Sequence, residues 1–205
     1  MRVRPDYDKF KRWSDEVGDD GLPVAYVSLA ASPMQEMLRD FMEVAQFMLG
    51  LYDWRREYEA LVEDMTPFYE EVIRVAAEGP AEVVLFGGNY DDTITYPPFF
   101  REHILPWLRR MADALHARGK LLLCHTDGEN GGLLDLLRES GMDVAEPLCP
   151  APGTRVTIGE YRRAWEGVAI WGGVPSAVVS EGCPEDEFRA YLEEMERALG
   201  RGRGS

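Results

Sequence analysis

Short, almost continuously apolar runs alternate with amphipathic segments along most of the chain. The amphipathic segments repeat their apolar residues at three- and four-residue steps and are predicted helices at about 33–50, 53–77, 97–118, 133–140, 158–165 and 184–199. The apolar runs are predicted strands at 24–30, 82–86, 120–124, 142–146 and 168–172. Apolar strands alternating with helices are typical of a sheet covered on both faces. The sequence therefore predicts an α/β fold with about five parallel strands.

The predicted helix at 97–118 contains two signals that set its limits. Pro106 lies inside the periodic pattern, so we expect it to kink the helix or to mark its true start. Gly119 follows the last apolar residue and is expected to end the helix, as glycine often does.

The composition narrows the class of protein. Thirty-seven acidic residues against 22 basic ones give a net charge of −15, which argues against nucleic acid and anionic membranes as partners. No apolar run approaches the roughly 18 residues of a membrane span, and the first residues lack the apolar core of a signal peptide. Three widely spaced cysteines suggest neither a disulfide framework nor a zinc ribbon. We expect a cytoplasmic protein that acts on a small molecule.

Polar side chains cluster where the predicted strands end. In parallel α/β folds, active sites lie at the carboxyl ends of the strands. We therefore predict that substrate is bound here, and that the catalytic groups lie among the same residues. The predicted substrate-binding residues are Asn89, Tyr90, Asp92 and Trp171, and the predicted catalytic residues are His125, Asp127, Glu146 and Asp91.

His125 and Asp127 are two residues apart at a strand end, so both side chains can point to the same side. An imidazole and a carboxylate could act as base and acid, or they could bind a metal with Glu146 as the third ligand. Two structural alternatives stay open. His125 could simply close the following loop with a hydrogen bond, and Glu146 could form a salt bridge to an arginine.

Asp91 and Asp92 follow a Gly-Gly-Asn turn. One of them could be a general acid, or could bind a cationic or hydroxyl group. Alternatively, they could form an Asx turn or cap the helix that begins at Pro97. Asn89 tolerates the left-handed backbone region and could also be structural.

Four stretches of this sequence resemble the uroporphyrinogen decarboxylase superfamily, which joins the decarboxylase to corrinoid-linked methyltransferases. They are LPVAYVSLAASPMQEML, GGNYDDTITYPPFFREHILPWLRRMADALHARGK, LLLCHTDGENGGLLDLLRESGMDVAEPLCPAP and VAIWGGVPSAVV. The resemblance rests on the order and spacing of these stretches, which together cover about residues 20–200.

The resemblance implies a (β/α)8 barrel of the TIM type. Since about five strands are predicted, we expect residues 1–205 to form a single, incomplete barrel domain that lacks the first two strands and the last one. An open sheet exposes unpaired edges and apolar surface, so either a homodimer or an unstable protein is also expected.

The resemblance favours the methyltransferase branch, because the arginine-rich N-terminal substrate motif of the decarboxylase is missing. It implies a corrinoid carried by a partner protein and a zinc site of the form His-x-Cys with a later Cys. Here the pair reads His125-Thr126-Asp127, so a carboxylate replaces the thiolate ligand. The expected cofactor is therefore zinc or another divalent metal, or none. The alternatives are a cofactor-free porphyrin decarboxylase, and an inactive fragment or binding module that retains the fold.

Overall fold

The computed structural model describes residues 4–200 and contains one sheet of five parallel strands. The strands are adjacent in chain order: β1 Val24–Ser28, β2 Val83–Gly88, β3 Leu121–His125, β4 Val144–Leu148 and β5 Ala169–Gly172. The predicted α/β class and strand number are confirmed. Within residues 4–200 the sheet does not close into a barrel, and β1 and β5 form its two edges.

Four of the five strands are displaced from their predicted ranges in the same direction, towards the C-terminus. β2, β3, β4 and β5 begin one or two residues later than expected, and β2, β3 and β4 also end later. Backbone pairing continues into the polar residues, as in the pairs Gly88 with His125 and His125 with Glu146. Strand pairing uses main-chain groups, so it does not need to stop where apolar side chains stop. His125 and Glu146 therefore lie within strands.

Ten α-helical segments are present in the described part of the chain. Among residues 4–200, no helix has both the length and the apolar character that crossing a membrane requires. The segments are α1 Asp8–Val17, α2 Pro33–Glu36, α3 Val44–Asp53, α4 Arg55–Glu78, α5 Pro97–Phe99, α6 Leu105–His116, α7 Leu134–Glu139, α8 Ile158–Ala164, α9 Ser176–Val179 and α10 Glu185–Leu199.

Two predicted helices are interrupted by π-helical turns. The segment predicted at 33–50 consists of α2, a π-helical turn at Met37–Phe41, and α3. The segment predicted from Pro97 consists of α5, a π-helical turn at Phe100–Ile104, and α6. Pro106 lies in the first turn of α6, where a proline is tolerated because the missing N–H has no partner there in any case. The prediction that Pro106 marks a helix start is confirmed.

The sheet has two different faces. The outer face contacts the helices and forms the main hydrophobic core, to which Val84, Phe86, Leu122, Cys124 and Ala145 contribute. These five side chains are completely buried. Burial also raises the pKa of the Cys124 thiol, so this cysteine is an inert part of the core.

The inner face carries the alternate residues of the same strands. Val83, Leu123 and Val144 form a small buried cluster near its middle. Around this cluster, side chains of the inner face are exposed to solvent: Tyr26 of β1 is 64% exposed and Leu121 of β3 is 42% exposed. At the carboxyl ends of the strands, polar side chains replace the apolar ones on this face.

Candidate functional site

His125 ends β3 on the inner face and lies between two carboxylates. Its Nε2 is 3.4 Å from Oδ1 of Asp127, and its Nδ1 is 3.5 Å from Oε2 of Glu146. Glu146 reaches this position because it pairs with His125 across β3 and β4. The structure thus brings together three of the predicted catalytic residues.

The two carboxylates approach opposite nitrogens of the imidazole. Since the lone pairs of the two ring nitrogens diverge, a metal bound to one of them cannot also be bound by the carboxylate beside the other. Among residues 4–200, no three His, Cys, Asp or Glu side chains are grouped so that they could hold one ion. The predicted ligand set of His125, Asp127 and Glu146 does not fit a metal in this arrangement.

The same arrangement suits proton transfer. A neutral imidazole carries a proton on one nitrogen and accepts at the other, and a carboxylate beside the first fixes which tautomer is present. The His125 side chain is 25% exposed, so a substrate on the inner face can reach it. The side chains of Asp127 and Glu146 are also partly exposed.

Two of the predicted site residues have structural roles. Tyr90 is completely buried, and its ring packs edge-on against Phe100 in the core of the outer face. Burial raises the pKa of its hydroxyl well above the ordinary value. The Asp91 carboxylate accepts hydrogen bonds from the backbone N–H groups of Thr93 and Ile94, which is the Asx-type turn named as its alternative. Within residues 4–200, neither side chain forms a hydrogen bond or an ion pair with His125.

Asn89 and Trp171 are on the rim of the site. Asn89 has a φ of 54°, and its backbone N–H donates to the carbonyl oxygen of His125. Its side chain is exposed. Ile170 pairs with Ala145 on the outer face, so the following residues, Trp171 and Glu146, both belong to the inner face. Asn89 and Trp171 therefore stay predicted contributors to substrate binding.

Asp92 is held by an ion pair. Its two carboxylate oxygens lie 3.1 and 2.9 Å from Nη2 of Arg155, and Oδ2 also accepts from the backbone N–H of Gly132. Arg155 in turn contacts Glu129. Glu129 was not predicted as part of the site, because nothing in its local sequence distinguishes it from a solvated carboxylate.

A second group of buried polar residues supports the loop between β3 and α7. The Tyr161 hydroxyl donates to Oδ1 of Asn130 at 2.6 Å, and Nδ2 of Asn130 donates to the carbonyl oxygen of Thr126 at 2.9 Å. Asn130 is completely buried. Burial also raises the pKa of Tyr161 to about 12, so its hydroxyl stays protonated and continues to donate. These contacts fix the segment that carries Asp127.

Comparison with known proteins identifies the family. Residues 19–203 match the uroporphyrinogen decarboxylase (URO-D) family. The chain belongs to this family. The match covers the whole sheet and all helices from α2 onwards, so the predicted family membership is confirmed. Among curated proteins, no relative matches the sequence.

The fold of this chain is also found among solved structures. A methyltransferase from Methanosarcina mazei has a similar fold, with a TM-score of 0.67 over 92% of this chain and a sequence identity of 17%. The chain spans about half the length of that protein, since 53% of it is covered. The likeness places the five-stranded sheet within a fold of the barrel type.

Proposed function

We propose that this URO-D family protein is an enzyme of the methyltransferase branch, in which His125 moves a proton at the carboxyl ends of the strands. The observation that carries the proposal is the position of His125 on the open inner face, with Asp127 and Glu146 beside its two nitrogens. The reaction proposed is demethylation of a small methoxylated substrate, with a corrinoid carried by a partner protein as methyl acceptor.

The chain's own residues would assist departure of the demethylated oxygen. When the bond between the methyl carbon and this oxygen breaks, the oxygen gains negative charge and needs a proton. His125 in its protonated form donates that proton from Nε2 or Nδ1, and the carboxylate at the other nitrogen stabilises the imidazolium beforehand. The corrinoid, when present, supplies the methyl acceptor. The inner face beside His125 is open, which fits a reacting group brought by a separate protein.

The arginine content of the site supports this reaction over porphyrin decarboxylation. A substrate with many carboxylates needs several cationic side chains. Arg155 lies near the strand ends, but it is engaged by Asp92 and Glu129. Two further carboxylates, those of Asp127 and Glu146, face the same space as His125. This charge distribution is unfavourable for a polyanionic ligand.

The test is a methyl-transfer assay with free cob(I)alamin as acceptor and methoxybenzoates as donors, followed by absorbance. We expect turnover that falls by about 10²–10⁴-fold in His125→Gln, the range for loss of a general acid. Glu146→Gln is expected to reduce turnover less than His125→Gln. Glu139→Gln is a matched control, because Glu139 is on α7 and contacts Arg109 away from the site.

Three outcomes would contradict the proposal. Release of CO2 from uroporphyrinogen by the same preparation, without methyl transfer, would assign the protein to decarboxylation. Methyl transfer that is equal in His125→Gln and in the wild type would remove His125 from the chemistry. A folded protein with neither activity and no ligand-induced stabilisation would support the inactive-fragment alternative.

A further inference from the structure

The carboxylate of Asp127 is not fixed by its own contacts. Its Oδ1 is buried, yet within residues 4–200 this atom has no hydrogen-bond partner. The neighbour of this atom is Nε2 of His125 at 3.4 Å, a distance too long for a strong hydrogen bond. The position of Asp127 beside His125 is therefore set by the backbone of the segment that carries it.

That segment, residues 126–133, which we call the β3 loop, is attached to strand β4 and to the loop after β2. At its start, the backbone N–H of Thr126 donates to the carbonyl oxygen of Glu146 on β4. In its middle, the carbonyl oxygen of Glu129 accepts from the backbone N–H of Asp92 at 2.7 Å. Near its end, the N–H of Gly132 donates to the Asp92 carboxylate at 2.8 Å.

Arg155, in the loop after β4, contacts both the loop after β2 and the β3 loop. Its Nη2 contacts both carboxylate oxygens of Asp92, and its Nε lies 3.1 Å from Oε2 of Glu129. The same Glu129 oxygen accepts from the backbone N–H of Arg155 at 2.8 Å. One guanidinium thus connects the loops that follow three consecutive strands.

We propose that Arg155 is a positioning residue that holds Asp127 beside His125 by locking the β3 loop against Asp92. The guanidinium contacts two carboxylates, those of Asp92 and Glu129. Both carboxylates are largely removed from solvent, since the side chain of Asp92 is 12% exposed and that of Glu129 is 23% exposed. Without the guanidinium, the like charges of Asp92 and Glu129 repel each other, and the attachment of the β3 loop to Asp92 weakens.

The contacts of Arg155 with Asp92 and Glu129, which we call the Arg155 clamp, require arginine in particular. The planar guanidinium contacts Asp92 through Nη2 and Glu129 through Nε, in two directions at once. A lysine ammonium is a point charge and cannot reproduce this fork. The hydrogen bond to Glu129 also raises the pKa of Arg155, in accordance with a guanidinium held by carboxylates.

The experiment compares Arg155→Ala, Arg155→Lys and the wild type by hydrogen exchange of residues 126–132 and by NMR of the His125 ring nitrogens. We expect exchange in this segment to accelerate at least about tenfold in Arg155→Ala, as local opening becomes easier, with a smaller change in Arg155→Lys. The His125 ring resonances are expected to shift in the same order. Arg109→Ala is the matched control, since Arg109 binds Glu139 through both its backbone oxygen and its carboxylate.

The outcome that overturns the proposal is an Arg155→Ala protein whose β3-loop exchange and His125 resonances match those of the control. If Arg155→Ala does not fold, the same two measurements are made on the nearly isosteric variant Asp92→Asn. This variant removes the negative charge that Arg155 binds and keeps the shape of the side chain. Unchanged His125 resonances in Asp92→Asn would equally overturn the proposed positioning role of Arg155. Neither readout uses catalytic turnover, so a failure here is separate from a failure of the proposed methyl transfer.

Discussion

The two faces of the sheet differ in how completely their side chains are buried. On the outer face, side chains such as Val84, Phe86 and Leu122 are completely enclosed by helices and make the main core. On the inner face, the apolar cluster of Val83, Leu123 and Val144 is small, and the strands end in partly exposed polar groups. Burial of apolar area is the main source of stability, so the outer face holds the fold together. The inner face carries the candidate site.

The largest expected effect comes from truncating a leucine on the outer face. Leu122 and Leu121 are neighbours on β3, but Leu122 is 0% exposed on the outer face and Leu121 is 42% exposed on the inner face. We expect Leu122→Ala to lower the free energy of unfolding by about 2–5 kcal/mol, because it leaves a cavity in the core. Urea denaturation followed by circular dichroism measures the change.

Leu121→Ala is the matched control, and its cost is expected to stay within about 1 kcal/mol. Equal losses in the two variants would mean that the inner face is covered in solution as completely as the outer one, for instance by a second copy of the chain. That result would remove the distinction between the faces and would support the predicted homodimer.

The outer face is also the part of the molecule that sequence patterns predict well. Apolar runs and three- and four-residue spacing identify its five strands and most of its helices, because these residues are selected by burial. Sequence patterns did not predict α1, whose residues include none that is buried, or the π-helical turns. Each turn interrupts a helix that otherwise keeps its apolar spacing, so its signal in a single sequence is weak.

The candidate site was predictable only in part. Polar residues after an apolar run identified His125, Asp127 and Glu146, since strand ends are simple to locate. Tyr90 and Asp92 belong to the same stretch of sequence, yet one lies in the core and the other pairs with Arg155, 63 residues away. Contacts over such a separation depend on the three-dimensional arrangement of loops, which local sequence does not encode.

A smaller effect is expected from His103, a histidine in the helical layer that covers the outer face. Burial lowers its pKa below the ordinary 6.5, and the side chain also contacts the ring of Phe99. Glu102 and Glu59 oppose this shift and Arg55 adds to it. The unfolded chain therefore binds a proton at higher pH than the native protein does, so stability falls as the pH drops below about 6.5 and then levels off once the native form is protonated too.

His103→Gln is expected to reduce this pH dependence. The measurement is the urea midpoint at about pH 7 and about pH 5.5, a window above the titration of ordinary carboxylates. The wild type is expected to lose more stability between these values than the variant. An identical loss in both would show that His103 is not the group responsible, and that the covered layer tolerates a charge at this position.

The smallest expected effect is that of added zinc on the inner face. Asp127 and Glu146 lie beside opposite nitrogens of His125, so a bound ion would have at most two of these three ligands and a low affinity. A ligand that binds the native state weakly adds little to its stability. We expect the thermal midpoint to change by less than about 1 °C at micromolar zinc, and purified protein to contain substoichiometric metal. A zinc-dependent increase of several degrees that disappears in both His125→Ala and Asp127→Ala would show that the side chains rearrange into a metal site, and the inner face would then be a metal centre.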